Sequence, residues 1–566
     1  MVDIIKSTVS MKTRDGIRLD ADIYRPNTAE ELPILLMRQP YGREIASTVV
    51  YAHPHWYAVR GYIIVIQDVR GRGTSEGKFD LFTHEVEDGQ DTIAWVSQLP
   101  NSTGEVGMYG FSYQGMTQLY AAVHQPPALK AIAPAMVAYD LYTDWAYENG
   151  AFCLYANLAW AIQLAGETAR IKGDEAAYVE LCQASRNLPL NDPIPANPEL
   201  MKRLAPDSFY HQWLNNPDPM AEYWQKRSLK YLLQDVDLPM LHVGGWFDPY
   251  LRGTLNLYRA ITVSSKQPQH LLVGPWAHLP WGRKLGAVDY GIEAQNPIDE
   301  IQIRWFDYFL KGIDTGFTTE PPICWFEMGS NQWREFDRIP QNQQIYYLAS
   351  DGLASIREDS GMLWQDEAAS SESISPRELI ETDLTTEIAE FENNIDILVH
   401  DPWRPVPALG GHAIYPGGSF DRSSLDCRSD ILTYTSTPLV SDLHIAGEVE
   451  VEIYCSLEQL SGDLCVVLST VQPDGKVMNF TQGYSRLSDL ESETNLVKIP
   501  LQATCICINA GHSLRLSISA ACFPAYPINP GTNKLPHESR LMDRQIITIS
   551  IYSGADYPSR IVLSNS

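Results

Sequence analysis

The stretch Gly107-Met108-Tyr109-Gly110-Phe111-Ser112-Tyr113-Gln114-Gly115 decides the fold of this chain. An apolar, β-prone run leads into it, and a helix-compatible run, 116–123, follows. A serine between glycines on a strand-to-helix turn presents its hydroxyl away from its own backbone, and its neighbours must be small because strand and helix touch there. This is the geometry of a nucleophile elbow. The spacing is G-x-S-x-x-G rather than the commoner G-x-S-x-G, and short glycine–serine turns are usually structural, so the rest of the chain must decide.

Strand and helix patterns alternate on both sides of this turn. Short apolar runs, which are typical of buried parallel strands, occur at 32–37, 61–67, 131–137, 238–244 and 270–275. A segment with helical period, 85–98, precedes the serine turn. Strands that alternate with helices at this spacing indicate parallel β-α-β units, so the sequence predicts an α/β core.

Two regions break the alternation. Residues 139–230 show helical signals without good strands, which predicts a helical cap over the site. Beyond residue 345, an acidic, serine-rich link at 367–375 is followed by many short β-rich runs without a helix of useful length. Such a pattern is typical of a β-sandwich or jelly roll. At 566 residues the chain is also too long for a single core.

The composition excludes several classes of partner. The formal net charge of −28 argues against nucleic acid, because binding a phosphate backbone needs a basic surface. The nine cysteines are scattered without a C-x-x-C pair, which is typical of a reduced intracellular protein. The first residues lack a basic region followed by an apolar one, and no run of about 18 apolar residues occurs. The sequence therefore predicts no signal peptide, no membrane partner and a cytoplasmic location.

An acid and a base follow the serine in the order that an α/β hydrolase requires. Asp248 closes one apolar strand and His278 closes the next, each just past a glycine and a tryptophan. A serine hydroxyl is a poor nucleophile until an imidazole takes its proton, and a carboxylate fixes the imidazole tautomer and stabilises the imidazolium. The pattern therefore predicts Ser112, Asp248 and His278 as a catalytic triad.

The competing assignments are weaker. Asp235 and Asp237 precede their strand and so lie at its wrong end, and His242, inside the same strand, is predicted to be a packed core histidine. The close pair His53 and His55 has no carboxylate-rich helix or H-E-x-x-H motif beside it. We therefore predict neither a metal nor a cofactor.

An oxyanion hole needs two hydrogen-bond donors. The backbone N–H of Tyr113, the residue after the serine, is one candidate. The hydroxyl of Tyr41, at the end of an early strand and directly after a proline, is a second candidate. A tyrosine that simply packs at the strand end is an alternative that the local sequence leaves open.

Ordered motifs along nearly the whole chain resemble those of one family of serine hydrolases. The motifs are Met11–Asp20 (MKTRDGIRLD), Arg38–Tyr41 (RQPY), Asp68–Gly77 (DVRGRGTSEG), Gly107–Gly115 (GMYGFSYQG), Gly244–Asp248 (GGWFD), Gly274–His278 (GPWAH), Asp401–Gly411 (DPWRPVPALGG) and Asp430–Leu439 (DILTYTSTPL). The chain is similar to the cocaine esterase and X-prolyl dipeptidyl-peptidase family, which is related to the α-amino-acid ester hydrolases. So many motifs in one order make the resemblance highly specific.

The resemblance implies an α/β-hydrolase core with an inserted helical cap and a C-terminal all-β jelly-roll domain. The expected boundaries are 1–140 and 231–343 for the two parts of the core, 141–230 for the cap and 344–566 for the jelly roll. The resemblance also implies the triad above and places the hydroxyl of Tyr41 and the amide of Tyr113 in the oxyanion hole.

The resemblance further indicates which residues bind the substrate. Trp145 and Trp160 look like the cap tryptophans that help form an acyl pocket, although tryptophans in a helical insertion are as often core residues, and Tyr250 is expected to face the same pocket. Members that bind a substrate ammonium carry acidic residues just past the catalytic aspartate, whereas this chain reads Pro249-Tyr250-Leu251. This departure favours a neutral acyl group, although Asp144 and Glu148 in the cap could still bind an amine.

The sequence thus predicts a serine carboxylic-ester hydrolase that forms an acyl-enzyme on Ser112 and uses no cofactor. Its partner is a small-molecule ester or amide, and assembly into a homo-oligomer is left open. The first alternative is an amidase or peptidase of the X-Pro dipeptidyl-peptidase type, or an acylase, with the same triad. A second alternative is a non-catalytic protein that binds glycans through its jelly roll.

Overall fold

A computed structural model describes residues 3–44, 48–365, 393–488 and 493–565. The acidic link predicted at 367–375 lies outside the described residues. The first part of the chain contains β1 (Ile4–Lys12), β2 (Arg18–Pro26), β3 (Leu32–Gln39), α1 (Pro54–Ala58), β4 (Ile63–Asp68), α2 (Glu85–Val96), β5 (Ser102–Phe111), α3 (Tyr113–Ala122) and β6 (Leu129–Ala135).

A largely helical segment follows β6. It contains β7 (Tyr147–Glu148), β8 (Ala151–Phe152), α4 (Leu154–Lys172), α5 (Glu175–Arg186), α6 (Glu199–Leu204), α7 (Phe209–Leu214), α8 (Glu222–Gln225) and α9 (Leu229–Leu232). The expectation that this region lacks strands is wrong only for β7 and β8, which pair with each other as a hairpin of two residues a side. Two-residue strands are too short to show an alternating pattern in the sequence.

The α/β pattern then resumes. Its elements are β9 (Met240–Phe247), α10 (Leu251–Ser264), β10 (Gln269–Ala277), β11 (Lys284–Leu285), β12 (Val288–Asp289), α11 (Ile298–Lys311), β13 (Ile323–Glu327) and β14 (Gln332–Phe336). The strands β13 and β14 were not predicted from the sequence, and they extend the sheet by an antiparallel hairpin at its edge.

The strands before and after the helical segment form one sheet of ten, in the order β1-β2-β4-β3-β5-β6-β9-β10-β13-β14. Neighbours from β4 to β13 pair in parallel, and the outer strands pair antiparallel. The five apolar runs that were predicted as buried strands are β3, β4, β6, β9 and β10. Since the sheet is parallel, the carboxyl ends of β3, β5, β9 and β10 open on one edge, where a site is expected.

The remainder of the described chain is almost entirely β-structure. It contains β15 (Asn342–Ala349), β16 (Met362–Gln365), β17 (Asn394–His400), α12 (Ser423–Asp426), β18 (Ile431–Ser436), β19 (Leu443–Leu457), β20 (Ser461–Val471), β21 (Val477–Ser488), β22 (Asn495–Ile508), β23 (Ser513–Ser519), β24 (Ile547–Ser553) and β25 (Arg560–Asn565). These strands form a second sheet of eleven, mostly antiparallel. Its buried apolar residues pack in one cluster with residues of β9, α10, β10 and β13. Within the described ranges, no helix is long and apolar enough to cross a membrane.

Candidate active site

The serine turn has the strained backbone of a nucleophile elbow. Strand β5 ends at Phe111 and helix α3 begins at Tyr113, and Ser112 between them has φ 60° and ψ −127°. A residue with a side chain rarely adopts such a conformation, and those that do concentrate at functional sites.

The flanking glycines make this turn sterically feasible. Gly110 has φ 137°, and a Cβ there would lie 2.5 Å from Gln114 Cβ. A Cβ on Gly115 would clash with Val137 Cγ1 and lie 2.8 Å from the carbonyl oxygen of Ala135. Glycine is therefore required at position 115, the last position of G-x-S-x-x-G, because α3 contacts the chain at the end of β6 there.

The predicted acid and base lie at the ends of neighbouring strands. Asp248 directly follows β9, His278 directly follows β10, and His278 Nδ1 is 2.8 Å from Asp248 Oδ1. Asp248 is completely buried, and this burial raises the pKa of its carboxyl group, while the hydrogen bond with His278 opposes the rise. A buried carboxylate on Nδ1 leaves Nε2 of the imidazole free to face the serine.

Tyr41 follows β3 and lies beside the serine. Its hydroxyl oxygen accepts a hydrogen bond from Trp160 Nε1 at 3.1 Å. Burial raises the pKa of Tyr41 to about 12, although its hydrogen bonds with Trp160 and Ser112 work in the opposite direction. The phenol therefore keeps its proton at neutral pH and can donate it to an oxyanion.

Tyr113 can contribute only its backbone amide. Its side chain points into the core, where its hydroxyl donates to Glu85 Oε1 at 2.7 Å, and Glu85 is paired with Arg38 at 2.7 Å. Because Tyr113 is the first residue of α3, its N–H has no acceptor within the helix. Tyr113 directly follows Ser112 in the chain, which is the position from which an oxyanion donor is expected at a nucleophile elbow.

One cavity of about 720 Å³ joins most of the predicted site. Six of the eight predicted site residues line it, namely Ser112, His278, Tyr41, Trp145, Trp160 and Tyr250, and Pro249 lines it as well. Asp248 lies behind His278, and the side chain of Tyr113 lies behind the serine turn. The structure therefore brings the predicted residues together around one opening.

Aromatic rings form much of the cavity wall. The ring of Tyr250 lies 4.9 Å from that of His278 and 4.2 Å from that of Trp145, and Trp145 lies 5.1 Å from Trp160, measured between centroids. Trp145 is only 3% exposed, so it is a buried core residue that also lines the cavity. Such a wall favours an apolar group beside the serine.

The C-terminal β-domain supplies cavity residues that the sequence analysis did not name. The cavity is also lined by His412, Ala413, Ile414, Tyr415 and Gly417, which belong to the loop between β17 and α12. His412 directly follows the motif Asp401–Gly411, which lies in the same loop, and that adjacency is the one signal in the sequence that could have pointed to these residues.

The same domain also holds the backbone of Asp248, the predicted acid of the triad. Gln502 on β22 is 4% exposed, and its side-chain amide donates to the carbonyl oxygens of Asp248 at 2.8 Å and Trp246 at 3.0 Å. No local pattern marks Gln502, because its partners are more than 250 residues away in the sequence.

Asp144 is committed to a structural role. It is buried, and its carboxylate accepts hydrogen bonds from the backbone N–H groups of Tyr139 at 3.1 Å and Asp140 at 2.7 Å and from Asn256 Nδ2 at 3.1 Å. Asp144 is not among the residues that line the cavity. It is therefore not placed to bind a substrate ammonium.

Glu148 is also committed to partners within the protein. One carboxylate oxygen is 2.6 Å from Tyr526 Oη and 3.0 Å from His412 Nε2, and Arg252 lies 3.7 Å away. Burial opposes ionisation, but His412 and Arg252 more than offset it and lower the pKa of Glu148 to about 2. Glu148 does not line the cavity either, so it joins the domains rather than binding an amine.

The remaining candidates behave as packing residues. His242 is buried in β9, where its Nε2 lies 3.0 Å from Gln269 Oε1, and burial lowers its pKa to about 4. His53 precedes α1 and accepts a hydrogen bond from the backbone N–H of His55 at 3.1 Å. Among the residues that the structure describes, no group of three or more metal-ligating side chains could hold a metal ion.

The parallel sheet and the strained serine turn define an α/β hydrolase. Residues 15–280 match the profile of the X-Pro dipeptidyl-peptidase (S15) family, and residues 315–562 match that of the X-Pro dipeptidyl-peptidase C-terminal non-catalytic domain. A cocaine esterase from Rhodococcus sp. (strain MB1 Bresler) is 30% identical over 99% of this chain and 98% of its own length. The chain belongs to the X-Pro dipeptidyl-peptidase (S15) family of hydrolases, which confirms the predicted resemblance.

Solved structures agree with the fold. An aminopeptidase from a marine sediment Thaumarchaeota archaeon superposes with a TM-score of 0.79 at 22% identity, over 99% of this chain and 96% of its own. A selenomethionine-labelled α-amino acid ester hydrolase superposes with a TM-score of 0.77 at 23% identity, over 100% and 97%. These similarities cover both the α/β part and the separate C-terminal β-domain.

Proposed function

We propose that this protein hydrolyses carboxylic esters, with Ser112 as nucleophile, His278 as general base and acid, and Asp248 as the residue that orients His278. The observation that carries the proposal is the 2.8 Å pair of His278 and Asp248, which faces the same cavity as the strained Ser112 turn. The cocaine esterase relative, which shares almost the whole chain, supports an ester as the substrate.

The geometry supports a two-step reaction. His278 takes the hydroxyl proton of Ser112 as the serine oxygen attacks the acyl carbon, and then gives that proton to the leaving alcohol. A water molecule next attacks the acyl-enzyme, and His278 again takes its proton and returns it to the serine as the acid leaves. In both steps, the carbonyl oxygen becomes an anion that the amide of Tyr113 and the hydroxyl of Tyr41 stabilise.

The substrate we propose is a small ester with a neutral acyl group. Trp145, Trp160 and Tyr250 pack on one another and line the cavity that contains Ser112, which supports an apolar acyl pocket. Turnover of X-Pro amides would need a carboxylate for the free amine. The nearby candidates, Asp144 and Glu148, are held by protein partners, and for this reason we place the peptidase alternative second.

The finer architecture belongs to the same proposal. We assign residues 1–140 and 231–343 to the core, 141–230 to a helical cap and 344–566 to a jelly roll. The cap supplies the tryptophans of the pocket, and the jelly roll supplies the loop that carries His412. The net charge of −28 and the nine free cysteines support a small-molecule partner and a cytoplasmic location.

The test is loss of the nucleophile. Ser112→Ala should abolish turnover of p-nitrophenyl butyrate and labelling by a fluorophosphonate probe, because we assign the Ser112 hydroxyl as the nucleophile that His278 activates. Ser185→Ala, which removes another serine at the cavity, should keep the labelling. A folded Ser112→Ala protein that still hydrolyses the ester would refute the triad, and faster turnover of an X-Pro-p-nitroanilide than of the ester would favour the peptidase.

A further inference from the structure

We propose that Trp160 is a positioning residue for the oxyanion hole, in addition to being a wall of the acyl pocket. Its indole N–H, 3.1 Å from the hydroxyl oxygen of Tyr41, fixes that hydroxyl so that the phenolic proton points to Ser112. The inference rests on the proposed serine mechanism and deepens it.

The direction of the hydrogen bond follows from the chemistry of indole. An indole nitrogen can only donate, so the oxygen of Tyr41 is the acceptor. The single phenolic proton must then lie on the side of the oxygen away from the indole hydrogen. Tyr41 and Ser112 line the same cavity, and we place that side of the oxygen toward the serine. A donor that is already aimed at the developing oxyanion needs no reorganisation during the reaction.

Trp160 itself is held in place from two sides. It lies on α4, where its ring packs against Phe209 at 4.8 Å between centroids. The same helix is held to the core by the buried Arg72, whose Nη1 donates to the carbonyl oxygen of Leu164 at 3.2 Å and to Thr168 Oγ1 at 3.0 Å. Through its hydrogen bond with Trp160, Tyr41 in the core is therefore positioned by the helical insertion.

The neighbouring tryptophan provides an internal comparison. Trp145 packs against Trp160 and lines the same cavity, but its indole nitrogen is buried and makes no hydrogen bond with any described residue. Trp145 is therefore a wall only. Substitutions at the two tryptophans therefore distinguish the effect of losing ring contacts from the effect of losing the N–H donor.

The experiment is a double-mutant cycle on ester turnover. Trp160→Phe keeps an aromatic ring and loses the donor, so kcat for p-nitrophenyl butyrate should fall about 3- to 10-fold, with little change in KM. Tyr41→Phe alone should lower kcat by about 100- to 1,000-fold. In the Tyr41→Phe protein, adding Trp160→Phe should then change kcat less than two-fold, because the residue through which it acts is gone.

Trp145→Phe is the matched control. Its effect, which we expect mainly on KM, should be the same with and without Tyr41, because no hydrogen bond joins the two residues. If Trp160→Phe lowers kcat equally in both backgrounds, Trp160 is a wall like Trp145 and the inference is wrong. An active Ser112→Ala protein, in contrast, would overturn the proposed function itself.

A second variant protects the test against a folding defect. Replacing Trp160 by β-(3-benzothienyl)alanine substitutes sulfur for the N–H and keeps the size of the indole. This variant should reproduce the loss in kcat of Trp160→Phe while remaining as stable as the wild type. A kcat equal to that of the wild type would overturn the inference.

Discussion

Replacing Gln502 by leucine should damage catalysis from outside the α/β sheet. Gln502 belongs to the C-terminal β-domain, and its amide donates to the carbonyl oxygens of Asp248 and Trp246. Leucine has a similar size but no donor, so both carbonyl oxygens would lose their partner in a buried environment. The turn that carries the catalytic aspartate would then be free to shift.

The magnitude follows from these two hydrogen bonds. A buried polar group without its partner costs about 1–3 kcal/mol, so the two carbonyl oxygens together should lower the free energy of unfolding by about 2–6 kcal/mol. The effect on rate is geometric, because a shift of about 1 Å at a catalytic group can cost about 100-fold. We therefore expect Gln502→Leu to lower kcat by about 10- to 100-fold.

The assay must separate a misplaced aspartate from unfolded protein. The unfolding free energy of Gln502→Leu is measured by urea titration, and kcat is measured at a temperature where circular dichroism shows the variant fully folded. Thr481→Val is the control, because Thr481 donates only to the backbone carbonyl oxygen of Gln502, at 2.5 Å, and its removal leaves the side-chain amide in place. A folded Gln502→Leu protein with wild-type kcat would refute a role of this domain in placing Asp248.

Two further predictions concern folding and pH. Gly115→Ala should destabilise the protein by about 2–3 kcal/mol in urea, because its Cβ would clash with Val137 and the backbone of Ala135, whereas Gly282→Ala should be neutral since a Cβ there meets nothing within 4 Å. The pKa of Glu148 is lowered from 4.5 to about 2, so its stabilisation is complete above pH 5 and is lost as the pH falls toward 2. Between pH 5 and pH 3 this amounts to about 2 kcal/mol of unfolding free energy, and Glu148→Gln should flatten the pH dependence by that amount; an unchanged slope would contradict the assignment.

Local patterns were sufficient to predict the core of the fold. Buried parallel strands are short and apolar on both faces, so each of the five predicted runs coincides with a strand of the ten-stranded sheet. The order of Ser112, Asp248 and His278 could be predicted because each residue stands where the chain leaves the sheet. The hairpin Ile323–Phe336 was missed because its two strands are five residues each and lie at the sheet edge.

The parts that could not be predicted depend on long-range contacts. The sequence shows carboxyl groups at Asp144 and Glu148 but not the backbone amides, histidine and arginine that occupy them in the fold. Likewise, the sequence shows a tryptophan at position 160 but not the hydrogen bond to Tyr41, which lies 119 residues earlier. The residue type determines which hydrogen bonds and charges a side chain can offer, whereas tertiary contacts determine whether that side chain remains available to a substrate.

Strand ends in a parallel sheet explain why distant segments complete this site. Where a strand ends, its last backbone groups lose their neighbours in the sheet and must find partners elsewhere. At the serine turn, the N–H of Tyr113 has no acceptor within its own helix, and for this reason we propose it as an oxyanion donor. After β9, the carbonyl oxygens of Trp246 and Asp248 are instead satisfied by Gln502. This edge of the sheet therefore depends on a second domain for the hydrogen-bond partners of some of its backbone groups. We expect the C-terminal β-domain to affect catalysis only through the backbone that it holds.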